Sequence, residues 1–236
     1  MRTVLILLIS ICIHSIGNSQ NLVKNPSLED KKHCVDYRGS FGHNVEEWTS
    51  PTLMTTDYFH TCNYKDVKAP ENHFGYQYAA DGNGYTGMFI YAPQNYREYI
   101  QGVLTDTLEY GRTYELSFHI SLAEESKFAI RAFSYIVTER QIHAANRRSL
   151  NRNDIAEEFS DSLEIHEISQ KTYHTDTAQW IEIKQTFVAT GGEKYFTIGN
   201  FDKNRKTKRK KVNRKAIIKA GYYYLDMVTI KPVSEI

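Results

Sequence analysis

The chain has 236 residues, 29 Lys and Arg against 28 Asp and Glu, nine His and 41% hydrophobic residues. After residue 19 no stretch is long and apolar enough to span a bilayer, which takes about 20 apolar residues. Neither an internal repeat nor a Pro/Ser-rich linker divides the chain. A membrane-spanning helical protein and a linker-joined pair of domains are thereby excluded, and the length points to one domain.

In chain order, residues 1–19 read as a secretion signal. Arg2 is their only full charge, Val4–Ile13 (VLILLISICI) is almost purely apolar, and Gly17-Asn18-Ser19 offers a small-x-small exit. Cleavage there leaves residues 20–236 as a single domain that is exported to the periplasm, the cell surface or the medium. It also removes Cys12 and leaves Cys34 and Cys62. Exported thiols meet an oxidising compartment, so a Cys34–Cys62 disulfide is expected, tying down the turn-rich segment that contains DYRGSFGHN.

The dominant periodicity beyond is two. In Thr113–Ser121 (TYELSFHIS), Tyr114, Leu116, Phe118 and Ile120 share one face, and Glu115, Ser117 and His119 the other, as in a half-buried antiparallel strand. Similar runs lie at Phe74–Ala79, Gly87–Ala92, Glu98–Leu104, Phe133–Thr138, Trp180–Ala189, Lys194–Asn200 and Tyr222–Ile230. Turn signals such as Asp81-Gly82-Asn83-Gly84 and Gly191-Gly192 punctuate them. The 17 Tyr and 11 Phe suit pleated surfaces. Glu139–Phe159 breaks the pattern and predicts a loop with a short helix across a sheet edge. Residues 203–215 (KNRKTKRKKVNRK) carry nine basic side chains and no acid. Without Arg2 and this tract, 19 basic side chains face 28 acidic ones, so an acidic body bears one basic strip.

Several of these motifs have a familiar look. NLVKNPSLED, Trp48 with Ser50-Pro51, FGYQYAADGNGYTGMFIY, YREYIQGVLTDTL, YELSFHISLAEESKFAI, the run from Trp180 to Phe201, and the closing YYYLDMVTI together resemble the galactose-binding-like jelly-roll domain of exported Bacteroidetes-type proteins. That domain often stands in front of an OmpA-type domain, and it is similar to the wider carbohydrate-binding-module jelly rolls. The resemblance covers about residues 21–230 and implies an all-β sandwich of two antiparallel sheets. Leu28 stands where the family has Phe, and Met227 where its closing strand has a second acid.

The resemblance also implies a structural calcium ion shared by Glu29 and Asp226. Calcium is a hard cation that takes six to eight oxygens at about 2.3–2.6 Å. The turn at Asp81 can add a carboxylate and carbonyls, and the backbone oxygen of Ser27 is a further donor.

No G-x-S-x-G or H-E-x-x-H motif is present. The early His and Cys residues lack zinc-like spacing, so no catalytic residue is assigned and the protein is expected not to be an enzyme. The basic tract has no interleaved aromatics for base stacking, which disfavours nucleic acid. It suits a solvated loop or contact with an anionic envelope polymer. Sugar recognition needs aromatic faces and planar polar groups, for which Trp48, Tyr58, Tyr76, Tyr96 and Arg97 are the candidates. The expected function is a non-catalytic module that binds glycan at the cell envelope. The competing reading is an envelope scaffold that binds a protein.

Overall fold

The structure is a computed structural model that describes residues 20–146, 149–150, 152–153, 155 and 163–233. Residues 1–19, expected to be a secretion signal, lie outside the described residues. Two five-stranded antiparallel sheets face each other. The first runs, in spatial order, β1 (Trp48–Thr49), β6 (Ile100–Val103), β12 (Tyr195–Gly199), β9 (Ala132–Thr138) and β10 (His166–Ser169). The second runs β11 (Ile181–Val188), β7 (Thr113–Leu122), β14 (Gly221–Pro232), β5 (Gly84–Tyr91) and β2 (Asp57–His60). Two small hairpins complete it, β3 (Glu71–Asn72) with β4 (Gly75–Tyr76), and β8 (Phe128–Ile130) with β13 (Arg209–Lys211). A one-turn α-helix, α1 (Phe41–Asn44), precedes β1. The expected jelly-roll β-sandwich is therefore present.

Alternation along each strand separates three layers of packing. Tyr114, Leu116, Phe118, Ile120 and Leu122 of β7 all enter the core between the sheets, where Phe118 meets Phe133 edge-on at 5.7 Å. The outer face of the second sheet carries its own aromatic cluster. Phe59, Tyr85, Tyr222 and Tyr224 point outward there and are capped by Val35, Val67, Ala69 and Phe74. Phe74 stacks on Tyr222 with centroids 3.7 Å apart. Over the first sheet, Ile142, Leu150 and Ile155 cover Tyr99, Ile136 and Phe201. The segment predicted as a helix-bearing loop thus packs across a sheet. Residues 139–146 form no helix, 152, 153 and 155 are helical, and the rest of 151–162 lies outside the described residues.

The disulfide pairs Cys34 with Cys62. Beside it Asn63 fastens the same flap: its Oδ1 accepts from Val35 N, and its Nδ2 donates to Tyr58 O and Val67 O. The first residues are laced to the last strand. Leu22 N donates to Ile230 O, Asn21 Oδ1 accepts from Ile230 N, and Val228 N donates to Pro26 O. That lacing carries Glu29 toward Asp226.

The run Phe74–Ala79 forms a strand only at Gly75–Tyr76. The basic tract forms β13, which pairs with β8 in the register Arg209↔Ile130 to Lys211↔Phe128, instead of a free loop.

Candidate functional site

Two surfaces deserve separation by their chemistry. The first is acidic. Asp226 is fully buried on β14. Its Oδ2 accepts from Ala80 N (2.9 Å) and Asp81 N (3.1 Å), and its Oδ1 from Met227 N (2.7 Å). Across the same turn, Glu29 Oε1 accepts from Asn83 N (2.8 Å) and Gly84 N (2.6 Å). Ser27 Oγ donates to Asp81 Oδ2 at 2.8 Å. Burial pushes the Asp226 carboxyl up to about 8, against the backbone N–H groups that hold it down, and the negative charge of Glu29 adds to the rise. The Gly82 backbone has φ +68°, and a Cβ there would meet the Glu29 carboxyl carbon at 2.4 Å, so glycine is what lets the turn close on the acid.

Sequence reasoning therefore brought together residues that the fold does bring together. Their donor set fits a calcium ion in part. Asp226 Oδ1 and Glu29 Oε2 each keep lone-pair capacity, since Glu29 Oε2 meets only Asn83 Nδ2 at 3.5 Å among the described contacts. Neither acid has an ion-pair partner among the described residues. No three His, Cys, Asp or Glu side chains among the described residues are grouped as metal ligands. An ion here would draw its remaining oxygens from carbonyls and water.

The second surface is aromatic. Of the five sugar-contact candidates, three are buried. Trp48 is 2% exposed, packs edge-on against Phe41 and Phe196, and donates Nε1–H to Asn25 O. Tyr58 is fully buried and donates its hydroxyl to Leu28 O. Arg97 is fully buried too: its guanidinium donates to Tyr96 O, Asn204 Oδ1 and Thr207 Oγ1 and lies 5.4 Å from the Tyr91 ring centroid. These three side chains are buried and serve the fold, so they offer no surface to a ligand. Tyr96 is half-buried, with its hydroxyl donated to Glu98 at 2.6 Å.

Tyr76 is different. It is 50% exposed, and its neighbour two positions on, Tyr78, is 62% exposed. Their rings meet edge-on at 5.5 Å, and the Tyr76 hydroxyl donates to the Tyr78 hydroxyl at 3.0 Å. Trp180 Nε1–H donates to Tyr78 O, and its ring stands edge-on to Tyr85 at 5.8 Å. The hairpin bearing Tyr76 is held by Asn72, whose Oδ1 accepts from Phe74 N and from the Tyr224 hydroxyl. It is also held by Glu124, whose Oε2 accepts from Tyr76 N at 3.0 Å. A Cβ at Gly75 would fall 1.7 Å from that oxygen, so only glycine admits the carboxylate. Beside Tyr76 opens a polar cleft of about 450 Å³, lined by Glu71, Asn72, His73, Lys65, Asp66 and Lys68 among others. Tyr78 and Trp180 were not singled out from the sequence. The signal was there in Tyr76-x-Tyr78, since an i, i+2 pair in an extended segment shares a face.

No protein-family model and no curated protein matches this chain. Among solved structures it is similar to the tandem CBM22 domains of Paenibacillus barcinonensis Xyn10C, at 14% identity and a TM-score of 0.44, covering 86% of this chain and 48% of that one. It is similar to the CBM22-1–GH10 modules of Clostridium thermocellum xylanase 10B, at 14% identity and a TM-score of 0.42, covering 85% and 29%. It is also similar to the C-terminal family 22 carbohydrate-binding module of Clostridium thermocellum Xyn10B, at 12% identity and a TM-score of 0.41, covering 85% and 95%. The chain thus spans less than half the length of the first two. These are likenesses of overall shape and nothing more.

Proposed function

We propose that this chain is an exported, non-catalytic glycan-binding module whose contact surface is built on Tyr76 and Tyr78. The observation that carries the reading is that pair. Most tyrosines of the sandwich are buried, whereas these two stand exposed, locked edge-to-face, on a hairpin fixed from below and bordered by a polar cleft. Rigid aromatic faces beside amide and carboxylate groups suit a sugar, which offers C–H faces and hydroxyl edges. The disulfide agrees with an oxidising compartment and with residence at the cell envelope.

On a glycan array, Tyr76→Ala and Tyr78→Ala should each weaken the strongest signal by about tenfold, equivalent to about 1.4 kcal/mol. Both should leave the melting temperature nearly unchanged, because the rings are exposed. Tyr110→Ala, at a position 87% exposed elsewhere, serves as the control and should bind as the parent does. Equal binding by all three variants would reject the surface.

We also propose a structural calcium ion held by Glu29 and Asp226, with Asp81 and backbone oxygen, including that of Ser27, completing its shell. When bound, the ion would neutralise the acids that close the N-terminal strap onto β14. A ligand bound only by the native state at about 100 times its Kd adds about 2.7 kcal/mol. For a domain this size that is a rise of about 5–10 °C in Tm. Calcium added after EDTA treatment should produce it, and magnesium should not. An unchanged Tm rejects the ion.

A further inference from the structure

We propose that the ligand of the Tyr76–Tyr78 surface is an acidic polysaccharide, a polymer of sugars bearing carboxylate or sulfate groups, gripped along the basic strip 203–215. The proposal rests on the glycan reading and names the ligand's chemistry.

The strip is built, not loose. At one end Asn204 donates to Ala92 O and accepts from Arg97, and Thr207 accepts from Arg97 and Asn200. In the middle β13 pairs with β8, and the Arg209 guanidinium sits over the Tyr91 ring at 4.7 Å. At the other end Asn213 Nδ2 donates to Glu124 O, the same Glu124 whose carboxylate holds Tyr76 N. The strip therefore ends against the residue that seats the tyrosine pair.

Apart from Arg209 over the Tyr91 ring, its charge finds no counter-charge within the described residues. All nine basic side chains are exposed, and none pairs with a carboxylate among the described residues. Fixing nine like charges along one ordered segment costs electrostatic energy that a polyanion would relieve. At the far end, Lys206 and Lys208 join Arg131 on the wall of a cleft of about 180 Å³ that also presents Ser169, Asn200 and Glu167. Cations beside hydroxyl, amide and carboxylate groups match a sugar that carries an acid and free hydroxyls. A phosphate backbone or a lipid surface would not call for the acid. The strip also offers no exposed aromatic ring on which a base could stack.

The test uses labelled polygalacturonate, neutral dextran, duplex DNA and phosphatidylglycerol vesicles, titrated with the protein, with the variant K206A/K208A/K210A/K211A, and with Tyr76→Ala/Tyr78→Ala. Expected is preference for polygalacturonate, with affinity falling steeply as salt rises. The lysine variant should lose about tenfold or more and show a shallower salt dependence, at an unchanged melting temperature. Ser169→Trp, at an exposed position on the cleft, should weaken polygalacturonate too. Tighter binding of DNA or vesicles, a neutral polymer bound as well as the acidic one, or a lysine variant that binds normally would each overturn the proposal. Neutral glycan bound through the tyrosines would leave the glycan reading standing without it. Acidic polymer bound equally by the tyrosine variant would instead sink that reading, and the shared site with it.

Discussion

Raising the pH from about 5 to about 8.5 should destabilise the protein by about 2–4 kcal/mol, and Glu98→Gln should remove part of that loss. Glu98 and Asp57 are 1% and 3% exposed and lie close enough to feel each other's charge. Burial raises both carboxyls, and for Glu98 the negative charge of Asp57 adds to it. Hydrogen bonds pull the other way. Glu98 accepts from Tyr96, Thr55 and Phe89 N, and Asp57 accepts from Tyr222 and Gly39 N, with Arg38 as the one cation that favours its charged form. The net direction is upward for each.

A carboxyl raised in the folded state binds its proton more tightly there than in the unfolded chain. Its contribution to stability is complete below the ordinary carboxylate range. It falls as pH rises and is spent once pH passes the folded value, about 8 for Glu98. Glutamine copies the neutral acid: its carbonyl can accept from Phe89 N, and its amide can donate to Tyr96 and Thr55. The variant should match the parent near pH 5 and exceed it near pH 8.5, with a residual slope from Asp57 and from Asp226, whose buried carboxyl is also raised to about 8. Urea unfolding at the two pH values decides. A parent whose stability is flat or rises over that range would refute the assignment.

Opening the disulfide should cost about 3–4 kcal/mol. Cys34 and Cys62 are 28 residues apart, and closing a loop of that length removes entropy from the unfolded chain and raises its free energy by about this much. The native side matters as well. The bridge and Asn63 clamp the flap that brings Val35 and Val67 over Phe59, Tyr85 and Tyr224. A Cys34→Ser/Cys62→Ser chain must hold that flap with the Asn63 hydrogen bonds, the Tyr64 N to Val35 O bond and its apolar packing. The urea midpoint of this variant, and of the parent in reductant, should fall together. A loss below about 1 kcal/mol would mean that the flap is held without the bridge. Because Tyr64 and Tyr76 ride on segments next to this flap, the opened form should also bind glycan less well.

The sequence by itself determined much of the frame. Period-two alternation located most of the long strands, since a pleated strand must send alternate residues to opposite faces. Cysteine counting paired Cys34 with Cys62, the two cysteines that lie outside residues 1–19. Tyr58 is a sugar-contact candidate by type yet is buried, for a physical reason. Alternation says that neighbours face opposite ways, not which face meets water: β2 sends Tyr58 into the core between the sheets, while Phe59 on its outer face is roofed by a second aromatic cluster. Trp48 enters the same core, and Arg97 is covered by Asn204 and Thr207. Short strands such as β8, β10 and β13 were illegible because their partners, not their own residues, hold them. Only the tertiary structure decided that the basic tract is ordered, through Arg97, β8 and Glu124, contacts that lie 79 to 110 positions away along the chain. It also decided that the exposed Tyr76–Tyr78 pair stands beside the end of that tract, since burial is a property of how sheets and flaps stack and no local pattern records it.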